Sequence, residues 1–434
     1  MRTCLTAAAL AALFVLPATA QQNPRIQPRA VVESIAQTIE QNYFDPTRAH
    51  AFAAELRANA AHGNYDHDTN PLDLAAALTA TLHPHDGHFT VRYEPQPAAP
   101  VASGPPQAPP ISGFEDATLA RENYGFRRVD ILPGGVGVIA MNLFADFDPS
   151  EPAATQPARQ AADNAIQAVS GARAIIIDLR GSRGGAPQMV GYIAGYFTPA
   201  GANIFNTFHS PRGDMSEAPT GDPTRPRLLD TPLYILVDGA TGSAAESFPY
   251  TLQAAHRATI VGERTDGRAN PGGPFPAAEG FTVFVSVASP ENPITHTNWE
   301  GTGVQPDVAT TSADALTRAH QLALERIAQA SPQSDAGIES QWTLDGLRAR
   351  PAPRSAAQLA PYVGDYGLAH IAIDGDHLTY ASLRRPPLTL IPLTGDTFVG
   401  AAEPYAHYQF DRSNGRVTAV NVIGPHGPTA RYQR

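Results

Sequence analysis

Leu233-Tyr234-Ile235-Leu236-Val237-Asp238-Gly239-Ala240-Thr241-Gly242-Ser243-Ala244-Ala245-Glu246 reads as a strand, a turn and the start of a helix. Five apolar residues rich in strand formers run into an Asp-Gly turn, and a helix-like run follows from Ala244 to about Ala258. Small residues on both sides of Ser243 leave its hydroxyl reachable. The next backbone N–H, on Ala244, falls at the positive end of the helix. This is one way to build a nucleophile with half of an oxyanion hole. A serine in this place also serves as an ordinary helix N-cap, and the hexapeptide Thr241–Glu246 alone fits both.

The same alternation extends to either side. Apolar strands are predicted at 136–143, 174–179, 259–261 and 281–287, with helices at 158–169, 187–196 and 313–328. Strands alternating with helices indicate an α/β core over 113–332. Before it, Val31, Val32, Ile35, Ile39 and Tyr43 recur at helical spacing, and further helices are expected over 50–61 and 72–82, giving a small helical domain over 25–94. A proline-rich linker covers 95–112. A second linker is expected at 333–357, and short strands with Asp-Gly-type turns make 358–434 an all-β module, sandwich or barrel.

The net charge of −11 at pH 7 argues against nucleic acid or an anionic membrane as partner. All 30 residues counted as Lys or Arg are arginines. Residues 1–20 read as a secretory signal peptide: Arg2, an apolar run from Leu5 to Leu16, and Ala18-Thr19-Ala20 as cleavage site. The run is too short to span a bilayer. The single cysteine, Cys4, would leave with the signal, so no thiol or Cys-metal chemistry is expected in an exported, periplasmic or secreted chain.

Four more stretches carry candidate chemistry. Ile176-Ile177-Asp178-Leu179-Arg180-Gly181-Ser182-Arg183-Gly184-Gly185 is a buried strand entering a glycine-rich turn that can aim N–H groups at an anion, or simply turn the chain. It is neither a Walker nor a dinucleotide loop. His83-Pro84-His85-Asp86-Gly87-His88 offers a catalytic histidine, a weak metal pattern, or a solvated polar loop. Trp299-Glu300-Gly301-Thr302-Gly303-Val304-Gln305-Pro306-Asp307 is a tight turn whose glutamate could orient an imidazole. Gly262-Glu263-Arg264-Thr265-Asp266-Gly267-Arg268 is a charged loop after a strand.

Taken in this order, Asp86-Gly87-His88, Asp178-Leu179-Arg180 with Gly184-Gly185, Thr241–Glu246, Gly262–Gly267 and Trp299–Asp307 resemble the C-terminal processing (tail-specific) serine peptidases, a family that includes tricorn protease and interphotoreceptor retinoid-binding protein. The resemblance covers roughly 30–330. It implies a crotonase-like core of ββα units, Ser243 as nucleophile, and an oxyanion hole from Ala244 N–H with a glycine amide of Gly184-Gly185. One branch of the family uses a lysine base. Here that place holds Arg268, and a guanidinium cannot be deprotonated in a protein. With no lysine in the chain, a Ser/Lys dyad is excluded. The other, tricorn-like branch uses Ser, His and Glu, which points to Ser243, His88 and Glu300. Gly87 stands where that branch can carry a linking serine, so Glu300 would reach His88 directly or through water. The interval from Glu94 to Val129 is too short for the PDZ domain many relatives carry. The β tail resembles small lipocalin-like or half-barrel modules that cover sites or assemble homo-oligomers.

The resemblance therefore implies an exported serine peptidase acting on peptide or protein substrates, with no metal and no cofactor, and with Arg268 able to anchor a substrate carboxylate. Two other readings stand beside it: a non-catalytic binder of hydrophobic ligands on the same fold, and an esterase or amidase.

Overall fold

In a computed structural model, residues 26–94, 116–152, 155–219, 226–350, 352–382, 385–401 and 403–434 are described. The expected signal peptide, most of the 95–112 linker and its flank to 115 lie outside them. No helix among the described residues is long and apolar enough to cross a membrane. The chain divides into two compact units: one of 1–41, 47–101 and 275–284, the other of 42–46, 102–274 and 285–434.

The smaller unit is built on helices α1 (Pro28–Asn42), α2 (Pro46–Ala61) and α3 (Pro71–Leu82). Each starts on a proline, whose fixed φ and missing N–H suit the first helical position. Asn70 caps α3, its side chain accepting from Leu72 N–H at 3.0 Å. The residues read at helical spacing, Val31, Val32, Ile35 and Ile39, are all buried. After α3 the chain forms the short strand β1 (Val91–Tyr93), antiparallel to the strand Phe281–Ser286, with Val91 opposite Val283.

In the larger unit, a six-stranded sheet holds β2 (Phe126–Leu132), β3 (Val136–Met141), β4 (Ala174–Asp178), β5 (Leu233–Val237), β6 (Thr259–Gly262) and β7 (Val308–Ala309) in the order β7-β6-β5-β4-β3-β2. Only β2 is antiparallel to its neighbour; every other pair is parallel. Parallel strands are covered on both faces, and β4 and β5 are buried at every residue. Ile175, Ile177, Ile235 and Val237 face helices α4 (Pro157–Val169), α5 (Pro187–Ala194) and α6 (Ala244–Ala254) through Ile166, Met189, Val190, Phe248 and Leu252. Ile176, Tyr234 and Leu236 face the other way, onto α7 (Ala315–Ala330) and α8 (Asp335–Arg348) through Ala319, Ala323, Leu324 and Leu344. Each aliphatic side chain so buried contributes about 1.5–3 kcal/mol.

Helix α8 corrects the expectation of a linker over 333–357. Its sequence is polar and carries Gly337 and Gly346, which weakens any reading from propensity. Packing supplies the missing stability: Leu344 is buried, and Ser334 caps the helix by accepting from Gly337 N–H at 3.1 Å. β2 was also missed, because five of its seven residues are exposed. Beyond α8, eight strands from Gly364–Tyr366 to Gly427–Gln433 pair antiparallel with their sequence neighbours, forming a near-barrel. Its apolar side holds Tyr366, Ile371, Leu378, Leu390, Phe398 and Phe410.

One polar group lies under α6. Glu217 is buried, accepting from Ser247 Oγ at 2.5 Å and Asn206 Nδ2 at 2.8 Å; Asn206 is held in turn by Asn292 at 2.9 Å. All these partners are neutral, so burial dominates and pushes the carboxyl up to about 7. From pH 4.5 upward the unfolded chain ionises this group while the folded chain keeps it protonated. Stability should therefore fall between pH 4.5 and about 7, then level off, an effect of about 3 kcal/mol for this shift. In Glu217→Gln that contribution should vanish. Urea unfolding of both proteins at pH 4.5 and 7.5 measures the difference, and equal pH dependence would refute the assignment.

Candidate active site

The carboxyl ends of the adjacent strands β4 and β5 carry the two turns singled out in the sequence, the usual place for sites in open α/β sheets. Side chains and backbone stitch these turns together. Asp238 accepts from Gly181 N–H at 3.0 Å and from Ala240 N–H at 3.1 Å. Thr241 Oγ1 donates to Leu179 O at 3.0 Å, and Gly242 N–H donates to Ser182 O at 2.9 Å. Burial alone would raise the Asp238 carboxyl, but these donors and Ser312 hold it below the usual range.

Ser243 sits at φ 57°, ψ −127°. An ordinary N-cap residue occupies the extended region, so this serine is more than a cap. It occupies a strained strand-to-helix turn of the kind that lifts a nucleophile out of the chain, at a cost of about 1–3 kcal/mol. The turn leaves room only for glycine opposite it. Gly184 has φ +112°, and a Cβ placed there would lie 2.7 Å from Ser243 Cβ and 3.0 Å from Ala244 N. At Gly185, φ +138°, a Cβ would lie 2.1 Å from Phe144 O. Ala244 is the first residue of α6, so its N–H has no acceptor within the helix.

The Ser243 turn is held by Glu246, a residue without an expected role in the sequence. Its fully buried carboxylate accepts from Ser243 N–H at 2.8 Å, Gly267 N–H at 2.6 Å, Arg268 N–H at 2.9 Å and the Thr265 hydroxyl. Burial raises its pKa, and the four donors oppose that rise. The available signal was Ser243-x-x-Glu246, the spacing of a capping box. Thr265 Oγ1 also accepts from Val304 N–H at 2.7 Å, and Gly301 N–H donates to Gly267 O at 2.8 Å. The loops 262–268 and 299–305 are thus tied to the start of α6.

Glu300 lies in the second of these loops. It accepts from Ala269 N–H at 2.8 Å and Asn270 N–H at 3.0 Å, beside the buried Trp299. Arg268 is exposed, and its guanidinium pairs with Asp266 at 2.8 Å. Ser243, Ala244, Gly184, Gly185, Arg268 and Glu300 all belong to the larger unit, and His88 belongs to the smaller.

In the smaller unit His88 is paired with Asp86. Its Nδ1 lies 2.8 Å from Asp86 Oδ1, the same oxygen that accepts the His88 backbone N–H at 2.9 Å. Both side chains are buried, 8% and 3% exposed. A carboxylate only accepts, so Nδ1 carries the proton and Nε2 is the basic nitrogen. The signal for Asp86 was an aspartate two residues before the histidine, the spacing of an Asx turn. The other histidine of interest, His85, pairs with Glu55 at 2.8 Å and stacks on Phe52.

Residues 135–310 match the model of peptidase family S41. The carboxyl-terminal-processing protease of Synechocystis sp. is 33% identical over 137 residues, covering 32% of this chain and 31% of that protein. The chloroplastic carboxyl-terminal-processing peptidase 2 of Arabidopsis thaliana is 30% identical over 203 residues, 44% of this chain and 36% of the relative. The chain thus spans about a third of the length of the curated relatives it matches. Among solved structures, the photosystem II D1 C-terminal processing protease aligns over 72% of this chain and 99% of its own, at 16% identity and a TM-score of 0.42. The matched segment contains Gly184, Gly185, Ser243, Glu246 and Glu300; His88 lies before it.

Glu246→Gln should cost about 3–5 kcal/mol, because the amide keeps one oxygen but turns its NH2 group against the two donors that the other carboxylate oxygen held. Hydrogen exchange at Gly267 and Arg268 should accelerate in the variant. Unchanged exchange at both amides would remove Glu246 from its place as the tie between helix and loop.

Proposed function

We propose that this chain is an exported serine peptidase that cleaves peptide bonds through an acyl-enzyme. The observation that carries the proposal is the strained Ser243 turn packed against Gly184 at the start of α6, inside the segment that matches family S41. Ser243 Oγ attacks the carbonyl carbon. His88 Nε2 takes the hydroxyl proton and passes it to the leaving amine, and water then releases the acyl group by the same steps. Ala244 N–H and an amide of Gly184-Gly185 stabilise the oxyanion, where each donor is worth about 3–4 kcal/mol. The ββα succession β2-β3-α4 supports a crotonase-like core for the central segment. Export rests on residues 1–20 as a signal peptide. The eight-stranded tail is proposed as a lipocalin-like cover or oligomerisation module.

Two carboxylates are proposed to serve the imidazole. Asp86 holds Nδ1–H and fixes the tautomer. Glu300, anchored by two backbone amides, stabilises the imidazolium as a second anion.

Ser243→Ala should abolish both peptide turnover and labelling by a fluorophosphonate, with an unchanged unfolding midpoint. Labelling with turnover of short esters but no peptide would make the protein an esterase. Absence of labelling in the wild type would favour a binder.

The orienting role is divided by pH. A neutral histidine is required, so kcat/KM should rise with pH with one proton's dependence. Removing a carboxylate that favours the imidazolium shifts that rise to lower pH. Asp86→Asn should shift it and lower turnover by roughly 10²- to 10⁴-fold. An unshifted limb in Asp86→Asn and a shifted one in Glu300→Gln would return the orienting role to Glu300 alone.

A further inference from the structure

Beside the glycine turn that faces Ser243 lies a cavity of about 370 Å³. Gly184 and Gly185 form part of the wall; Arg127, Arg183, Asn142 and Glu122 line it as well, with Leu119 and Leu143 as its apolar part. All of these residues belong to the larger unit. Arg183 directly precedes Gly184, and Arg127 projects from β2.

Both arginines are exposed, and neither has a hydrogen-bond or ion-pair partner among the described residues. The chain also holds arginines that carboxylates do engage. It carries 41 acidic residues to 30 arginines, and carboxylates take up Arg29, Arg57, Arg173, Arg180, Arg268 and Arg412. Glu122, the one acid on the cavity wall, is engaged with Asn142 Nδ2 at 3.2 Å. Asn142 Nδ2 is thereby committed to Glu122 rather than to an incoming group. The cavity thus offers two free guanidiniums, which favour planar carboxylates.

We infer that this cavity is a substrate subsite for a carboxylate, with Arg127 and Arg183 as the residues that select it. The inference rests on the peptidase reading, because it places the substrate backbone along the Gly184-Gly185 turn. A carboxylate one or two residues from the scissile bond would then face the cavity that both arginines line. An acidic side chain and a free chain terminus both present this group.

Binding to the Ser243→Ala protein tests the inference apart from catalysis. The probes are fluorescein-labelled, C-terminally amidated heptapeptides of Ala and Leu, with one Glu or one Gln scanned through each position. A free-acid peptide without Glu is added. Fluorescence anisotropy at low salt should show Glu at one or two positions binding about five- to tenfold tighter than Gln, the scale of one or two exposed ion pairs. The gap should close in Arg127→Gln/Arg183→Gln, and Arg127→Glu should turn the preference toward a Lys peptide. Preference for the free acid alone would identify the chain terminus as the source of the carboxylate. Equal affinities throughout, no binding by any peptide, or a preference that survives the double substitution would overturn the inference. If acidic peptides bind selectively and the wild type cleaves none of them, the subsite stands and the peptidase reading falls.

Discussion

The Glu246 carboxylate is the interaction on which the candidate site depends. Four donors converge on it, from the serine turn and from the 265–268 loop. Each donor is a group that would be costly to leave unpaired in a buried place. A single side chain at the first turn of α6 thereby fixes the backbone before it and the loop beside it. The 299–305 loop follows through Thr265 and Gly267. The hydrogen bonds hold the Ser243 conformation in place, although that conformation is unfavourable on its own.

Glycine does a complementary task at this site. Packing against Ser243 and Phe144 forbids any side chain at 184 and 185. The serine is therefore flanked there by bare main chain. Rigid turns on a parallel sheet buried on both faces give such a wall little freedom to deform.

Much of this was legible in the sequence because it follows from periodicity and turn chemistry. Strands β4 and β5 were readable as apolar runs ended by glycine turns. Helix α1 was readable from Val31, Val32, Ile35 and Ile39. Elements whose stability comes from tertiary contact were not readable. Helix α8 is polar with two glycines and holds through Leu344 and its docking on α7. Strand β2 is mostly exposed and exists because β3 pairs with it. At the site, residue types with obvious chemistry, such as Ser243, His88 and Glu300, drew attention. The roles of the Glu246 and Asp86 carboxylates were not readable, because they depend on which backbone N–H groups or ring atoms lie near them. Arg268 was readable as a cation from its place in a motif, whereas its pairing with Asp266 was not.

The positive φ of Ser243 has an evolutionary side. Glycine is the one residue that adopts this conformation without a steric penalty. A chain selected only for thermal robustness would therefore drift toward glycine at position 243, relieving the strain while discarding the hydroxyl. Serine there marks a position where durability and reactivity pull in opposite directions. Heat resistance in descendants of this protein would have to be sought far from that turn.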